Sequence, residues 1–121
     1  MAVNDMIDTY ISFYLKNNRI HIFTEALRSI GSPKYVCFML AENGDSFVLA
    51  PYEMKNFHSH RVSPSVYSGK SNLELTSICL CKIFSTEFGW DCSKSYRIPG
   101  RVNKQHGVVI FNLREASIIE K

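Results

Sequence analysis

Short stretches in which apolar and polar residues alternate predict a chain built largely from strands. Residues 19–23, Arg-Ile-His-Ile-Phe, alternate as a half-buried strand does. Thr24 stands where a helix N-cap is expected, and the predicted helix, residues 25–30, ends at Gly31. Pro33 follows and prevents its continuation. The pattern therefore predicts a strand that leads into a short helix.

A β-hairpin is predicted after this helix. Two apolar stretches, residues 35–40 and 46–50, flank the dipeptide Asn43-Gly44, which is a strong signal for a tight hairpin turn. Pro51 ends the second stretch. These features together define a strand–helix–hairpin unit at about residues 18–52.

The same order of elements returns at about residues 72–114. It consists of a strand at 73–75, a helix capped by Thr76 or Ser77 and running to about Phe88, a stop at Gly89, a strand at 95–98, a turn at 103–107 and a return strand at 108–113. Such a repeat predicts two half-units that pack about a pseudo-twofold axis, because neither half can bury its apolar face alone. We therefore expect an α+β fold with a small β-barrel-like sheet and short helices.

Two segments allow more than one interpretation. Residues 4–15 fit a short helix, which we favour, but residues 9–15 are also rich in strand-forming side chains. Residues 53–71 are polar and form either a linker or an extra strand, at 60–62 or 65–67.

Composition indicates one globular domain over residues 1–121. Apolar residues make up 45% and charged residues 21%, and the net charge is only +3. These values argue against a disordered chain and against an acidic mimic of nucleic acid. The chain has no continuous apolar stretch of about 20 residues and no basic, apolar leader, so we expect a cytoplasmic protein without membrane contact.

Residues 18–31 and the strand from Tyr35 resemble the swapped-hairpin DNA-binding domain of the AbrB, SpoVT and MraZ regulators. That family runs a Gly-Arg-hydrophobic-x-hydrophobic-Pro strand into a short helix that ends in Leu-Gly, with a hairpin after it. The matching positions are Arg19, Ile20, Ile22, Glu25, Arg28, Ile30 and Gly31. Asn18 and Phe23 replace the family's glycine and proline, and the second half follows the pattern only in outline. The chain is also similar to small proteins of Gram-positive bacteria and their mobile elements.

The resemblance implies a DNA-binding transcriptional regulator that contacts DNA through basic side chains. Arginines at the positions of Arg19 and Arg28 lie on the DNA-facing side in that family. DNA binding requires several cations on one face, because phosphate contacts provide most of the affinity. The expected DNA-binding residues are Arg19, Arg28, Arg61, Arg97, Arg101 and Lys104. Self-association into a homodimer is also expected from the family.

The alternative is a protein-interaction module that binds and modulates another protein. Trp90 and Tyr96 are the candidate contact residues, since aromatic side chains dominate binding hot spots. Packing of the loop after the second helix is the favoured explanation for both.

Metal-binding and catalytic motifs are not recognisable. Cys79-Leu-Cys81 and His58-Ser-His60 have one intervening residue, whereas zinc ligands are commonly separated by two to four. Neither a phosphate-binding glycine loop nor a nucleophile elbow occurs. We therefore expect no enzyme activity, no cofactor and no metal.

Overall fold

A computed structural model of the chain describes residues 7–41, 44–52, 59–68 and 72–119. In these residues the strands are β1 (Thr9–Tyr14), β2 (Arg19–Ile22), β3 (Tyr35–Leu40), β4 (Ser46–Tyr52), β5 (Ser59–Arg61), β6 (Leu73–Thr76), β7 (Ser95–Asn103), β8 (Val108–Asn112) and β9 (Ser117–Ile118). The helices are α1 (Thr24–Ser29), α2 (Pro64–Ser68) and α3 (Ile78–Phe88). Single 3₁₀ turns occupy Leu15–Asn17 and Leu113–Glu115.

The strands form one antiparallel sheet that curls into a nearly closed barrel. Their order is β5-β3-β4-β8-β7-β1-β2-β6, and β9 pairs with β7 beside β8. Pairings that join distant parts of the chain include β1 with β7, where Phe13 lies opposite Tyr96, β4 with β8, where Phe47 lies opposite Phe111, and β2 with β6, where Ile20 lies opposite Leu75. The expected α+β class with a barrel-like sheet and short helices is confirmed.

Strand β1 corrects the interpretation of residues 4–15 as a helix. Ile11 and Phe13 are fully buried, whereas Tyr10 and Tyr14 lie on the other side of the strand and are partly exposed. β1 pairs along its length with β7 and through Ile11–Tyr14 with β2, so its backbone groups are satisfied by neighbours far along the chain. Residues 4–6 lie outside the described residues.

The segment 53–71 contains one of the two expected extra strands. β5 pairs with β3, whereas residues 65–67, the other candidate, belong to helix α2. Pro64 begins that helix, a position where proline's missing N–H costs nothing. Residues 53–58, 69–71 and Asn43 lie outside the described residues.

The two main helices begin in different ways. Ser77 caps α3 as predicted, since its hydroxyl accepts a hydrogen bond of 3.1 Å from the Leu80 N–H. For α1 the expectation is wrong: Phe23 is the N-cap and Thr24 is the first helical residue. The Thr24 N–H donates to the side-chain oxygen of Asn72 at 3.3 Å, so the start of α1 is capped from the other half of the chain.

A cluster of phenylalanines fills the barrel. Phe13, Phe47, Phe84 and Phe111 are at most 2% exposed. Phe47 stacks on Phe111 with ring centroids 5.0 Å apart, and Phe13 meets Phe84 edge-on at 5.3 Å. On the strands around β1, the outer surface of the sheet carries polar and charged side chains.

Candidate nucleic-acid interface

The outer side of strands β7, β1, β2 and β6 carries a row of polar and charged residues. Directly paired residues of antiparallel strands point to the same side of a sheet. The pairings place Arg97 beside Ser12, Ser12 beside His21, and His21 beside Glu74. The next row in the same direction contains Ser95, Tyr14, Arg19 and Thr76. We call this surface the tyrosine face and define it by Tyr10, Ser12, Tyr14, Arg19, His21 and Arg97.

The two tyrosine rings of this face contact the side chains of Arg97 and His21. The Arg97 guanidinium carbon lies 5.3 Å from the centroid of the Tyr10 ring, a cation–π contact. Tyr14 meets the His21 ring edge-on at 5.0 Å. Ser12 between them is only 1% exposed. The Tyr10 ring thus contacts Arg97, and the Tyr14 ring contacts His21, on either side of Ser12 along β1.

One carboxylate lies at the edge of the tyrosine face. Glu74 accepts from Arg19 at 2.8 Å through one oxygen and lies 3.2 Å from the Nε2 atom of His21 through the other. Both Arg19 and Glu74 remain substantially exposed. Because exposed ion pairs are weak, a phosphate can compete with Glu74 for Arg19.

A recess of about 560 Å³ adjoins the face at Tyr14 and Ser95. It contains Lys16 and Lys94, and no acidic residue is among its described lining residues. Lys16, Lys94 and Arg19 thus lie near the Tyr14 end of the tyrosine face, whereas Arg97 lies over Tyr10 at its other end. This is the concentration of charge that binding to a phosphate backbone requires.

Other residues predicted to bind DNA lie elsewhere. The Arg28 guanidinium donates to the Tyr67 carbonyl at 2.7 Å, and the Tyr67 hydroxyl donates to the Pro33 carbonyl. Arg61 is exposed on β5, opposite Tyr35. Arg28 and Arg61 are therefore separated from the tyrosine face.

Arg101 and Lys104 occupy a third location with mixed charge. Arg101 forms a two-pronged ion pair with Glu115 at 2.8 and 3.4 Å, and this pairing lowers the pKa of Glu115. Lys104 lines a groove of about 820 Å³ that also contains Asp8 and Glu25. The acidic neighbours make this groove a poorer site for a polyanion than the tyrosine face.

Trp90 and Tyr96 are engaged with each other and with the core. Their rings stack with centroids 4.6 Å apart and planes 12° apart, and Trp90 also meets Phe13 edge-on at 5.7 Å. The Tyr96 hydroxyl accepts from the Asp91 N–H at 2.8 Å, and Tyr96 is only 8% exposed. These contacts anchor the loop after α3 to strand β7 and favour the packing role.

The cysteines form two buried and two exposed thiols. Cys37 and Cys81 are buried, and burial raises the pKa of Cys81 to about 11. Cys79 and Cys92 are exposed. His58 lies outside the described residues, and within the described part of the chain no three His, Cys, Asp or Glu side chains are placed to share a metal ion.

Lys16, Lys94, Tyr10 and Tyr14 were not among the candidate residues predicted from the sequence. The signal was present in residues 10–14, because alternation in a strand separates Tyr10, Ser12 and Tyr14 from Ile11 and Phe13. Interpretation of the segment as a helix placed Tyr10, Ile11 and Tyr14 together on one apolar side and so concealed the tyrosine face.

Comparison with protein-family models, with curated proteins and with solved structures gave no match to the chain. Within the described residues, no helix has both the length and the apolar character needed to cross a membrane.

Proposed function

We propose that the protein binds duplex DNA through the tyrosine face and its adjoining recess, as a transcriptional regulator of the AbrB-like type. The observation that carries this proposal is a surface along β1 that bears Arg19 and Arg97 and adjoins a recess lined by Lys16 and Lys94, with Glu74 beside Arg19 and Asp91 near Lys94 as acidic neighbours. Four phosphate contacts would give a salt-dependent affinity.

Contacts to the phosphate backbone suit this face better than stacking of unpaired bases. A stacking platform needs an aromatic ring whose flat side is open. The Tyr10 ring already carries the Arg97 guanidinium, and Tyr14 packs edge-on against His21. Arg19 remains 54% exposed beside Glu74, and Arg97 is exposed over Tyr10; exposed guanidinium donors of this kind position a protein on a duplex.

We further propose that the barrel consists of two half-units related by a pseudo-twofold axis. Each would contribute four strands and one main helix: β1, β2, α1, β3 and β4 in the first, and β5, β6, α3, β7 and β8 in the second. The halves meet at four antiparallel pairings: equivalent strands pair in two of them, β2 with β6 and β4 with β8, and a twofold axis would exchange the other two, β1 with β7 and β3 with β5. This arrangement supports the proposal, and it extends the half-units beyond residues 18–52 and 72–114 to include β1 and β5.

A protein-interaction module remains the second candidate because large apolar side chains are exposed away from the tyrosine face. On α3, Ile78 is 66% and Ile83 40% exposed, and on the first hairpin Met39 and Leu40 are 49% and 50% exposed. Exposed apolar groups of this kind can mark a protein contact when they are contiguous. Trp90, the residue expected from the sequence, is packed instead.

The proposal is tested by duplex binding across a salt series. We expect the Arg19→Ala, Arg97→Ala double variant to bind at least about tenfold more weakly near 50 mM salt and to show a shallower salt slope. The matched control is Lys82→Ala, Lys104→Ala, which removes the same charge from other surfaces. Equal losses in both variants, or no binding by the parent protein at low salt, would contradict the proposal.

A further inference from the structure

Three exposed cations, Arg28, Lys34 and Arg61, lie on neighbouring elements, where α1, α2, β3 and β5 are joined by hydrogen bonds. Arg28 is tied to α2 through the Tyr67 carbonyl, and Tyr67 is tied to Pro33, which precedes Lys34. The Lys34 carbonyl accepts from the Val62 N–H at 2.7 Å, and Val62 follows Arg61. We call this cluster of Arg28, Lys34 and Arg61 the α1–α2 corner.

Within the described residues, the α1–α2 corner carries three exposed positive charges. Among the ion pairs of the described residues, none includes Arg28, Lys34 or Arg61. Two tyrosines stand beside it, since Tyr35 lies opposite both Arg61 and Tyr52 in the sheet. The corner therefore resembles the tyrosine face in one respect, since an exposed cation, Arg61, lies beside tyrosines on paired strands.

The two basic surfaces lie on opposite walls of the barrel. The tyrosine face is centred on β7 and β1, and the corner on β3 and β5, with β4 and β8 between them in the strand order. In eight consecutively paired strands that curl into a nearly closed barrel, strands four positions apart in the order, such as β3 and β1, lie on opposite sides, so their outer faces point away from each other. A single straight duplex cannot lie against both.

We infer that the α1–α2 corner is a second phosphate-binding surface, so that one molecule holds two duplex DNA segments, one on each wall. This inference rests on the proposed DNA binding by the tyrosine face. Two separate segments fit better than one bent segment, because DNA has a persistence length of about 150 base pairs and resists bending around so small a protein.

Bridging of two duplexes tests the inference. A short biotinylated duplex on beads is mixed with the full chain and a second, fluorescent duplex, and the captured fluorescence is measured. The corner variant is Arg28→Gln, Lys34→Gln, Arg61→Gln, and the control variant is Arg19→Gln, Arg97→Gln. Affinity for one duplex is measured separately for each protein, which also shows that the variants are folded.

The parent protein is expected to capture the second duplex. The corner variant should bind a single duplex within about threefold of the parent but lose at least about tenfold of the bridging signal, whereas the control variant should lose both. Bridging by the corner variant at the parental level, or binding of only one duplex by the parent, would overturn this inference and leave the tyrosine-face proposal standing. Failure of the parent to bind any duplex would overturn both.

Discussion

The aromatic ring of Phe111 lies directly over the backbone of Gly100, its partner on the neighbouring strand. A Cβ atom added to Gly100 would lie 2.5 Å from Cε1 and 2.7 Å from Cδ1 of Phe111. The ring has no room to withdraw, because Phe47 stacks on it with centroids 5.0 Å apart and both rings are fully buried. Glycine is needed here for packing.

We predict that Gly100→Ala lowers the free energy of unfolding by about 1–3 kcal/mol, the usual cost of overpacking a core. Adding Phe111→Leu should recover part of this loss, so that the two effects are not additive. Gly107→Asn is the control, because its surroundings are open and asparagine tolerates a φ of +65°. Denaturant unfolding is measured for the parent, both single variants, the double variant and the control, and additive losses in the double variant would contradict the proposed contact.

Trp90 and Tyr96 are predicted to affect stability and to leave binding by the folded protein unchanged. Trp90→Ala removes contacts with Tyr96 and Phe13 and should cost about 2–4 kcal/mol. Tyr96→Phe keeps the stacking but loses the hydrogen bond from Asp91, and should cost about 1 kcal/mol. Unfolding curves give both values. Parental stability of Trp90→Ala would instead favour the hot-spot interpretation.

Glu74 is predicted to weaken DNA binding. Its carboxylate accepts from Arg19 and contacts His21, so Glu74→Gln should release both groups and remove a charge that repels phosphate. Affinity for duplex DNA should rise roughly two- to fivefold, the scale of an exposed ion pair. Glu87→Gln on α3 is the matched control. A similar gain in both variants would show that only net charge matters.

His60 is predicted to make the fold sensitive to acid. Burial lowers the pKa of His60 from its ordinary value of 6.5, and its ring lies 5.7 Å from that of Phe38. The unfolded chain therefore binds the proton more readily, so this contribution to stability is present above about pH 6.5 and is lost as the pH falls through the lowered pKa.

The variant His60→Gln should lose less unfolding free energy than the parent between pH 8 and pH 5. His106→Gln, which changes an exposed histidine in a turn, provides the comparison. Identical pH dependence in the parent and His60→Gln would refute the assignment to His60.

The sequence predicted those helices and strands whose ends are determined by residues nearby in the chain. Ser77 and Gly89 fix the ends of α3, since one supplies a capping hydroxyl and the other adopts a φ of +62°. The two main hairpins followed from apolar stretches separated by turn residues. The class of fold could be inferred because these elements recur in the same order.

The parts that depend on distant neighbours could not be predicted. Residues 9–14 satisfy both helical and strand spacing, and only their pairing with β7 and β2 decides between them. The cap of α1 likewise comes from Asn72, far along the chain. The sequence identified Arg19 and Arg97 as candidate DNA-binding residues. The recess lined by Lys16 and Lys94 adjoins them because of the same long-range pairing of β1 with β7.

The position of β1 between β2 and β7 also determines when the barrel can form during synthesis. β1 is synthesised long before β7. Tyr96 and Ile98 of β7 are the residues that lie opposite Phe13 and Ile11. Contacts so distant in sequence slow folding because a long loop must close first. The nascent chain therefore carries one edge of β1 unpaired until β7 emerges, although β2 can pair with its other edge, and a product released before β7 would expose an aggregation-prone strand edge.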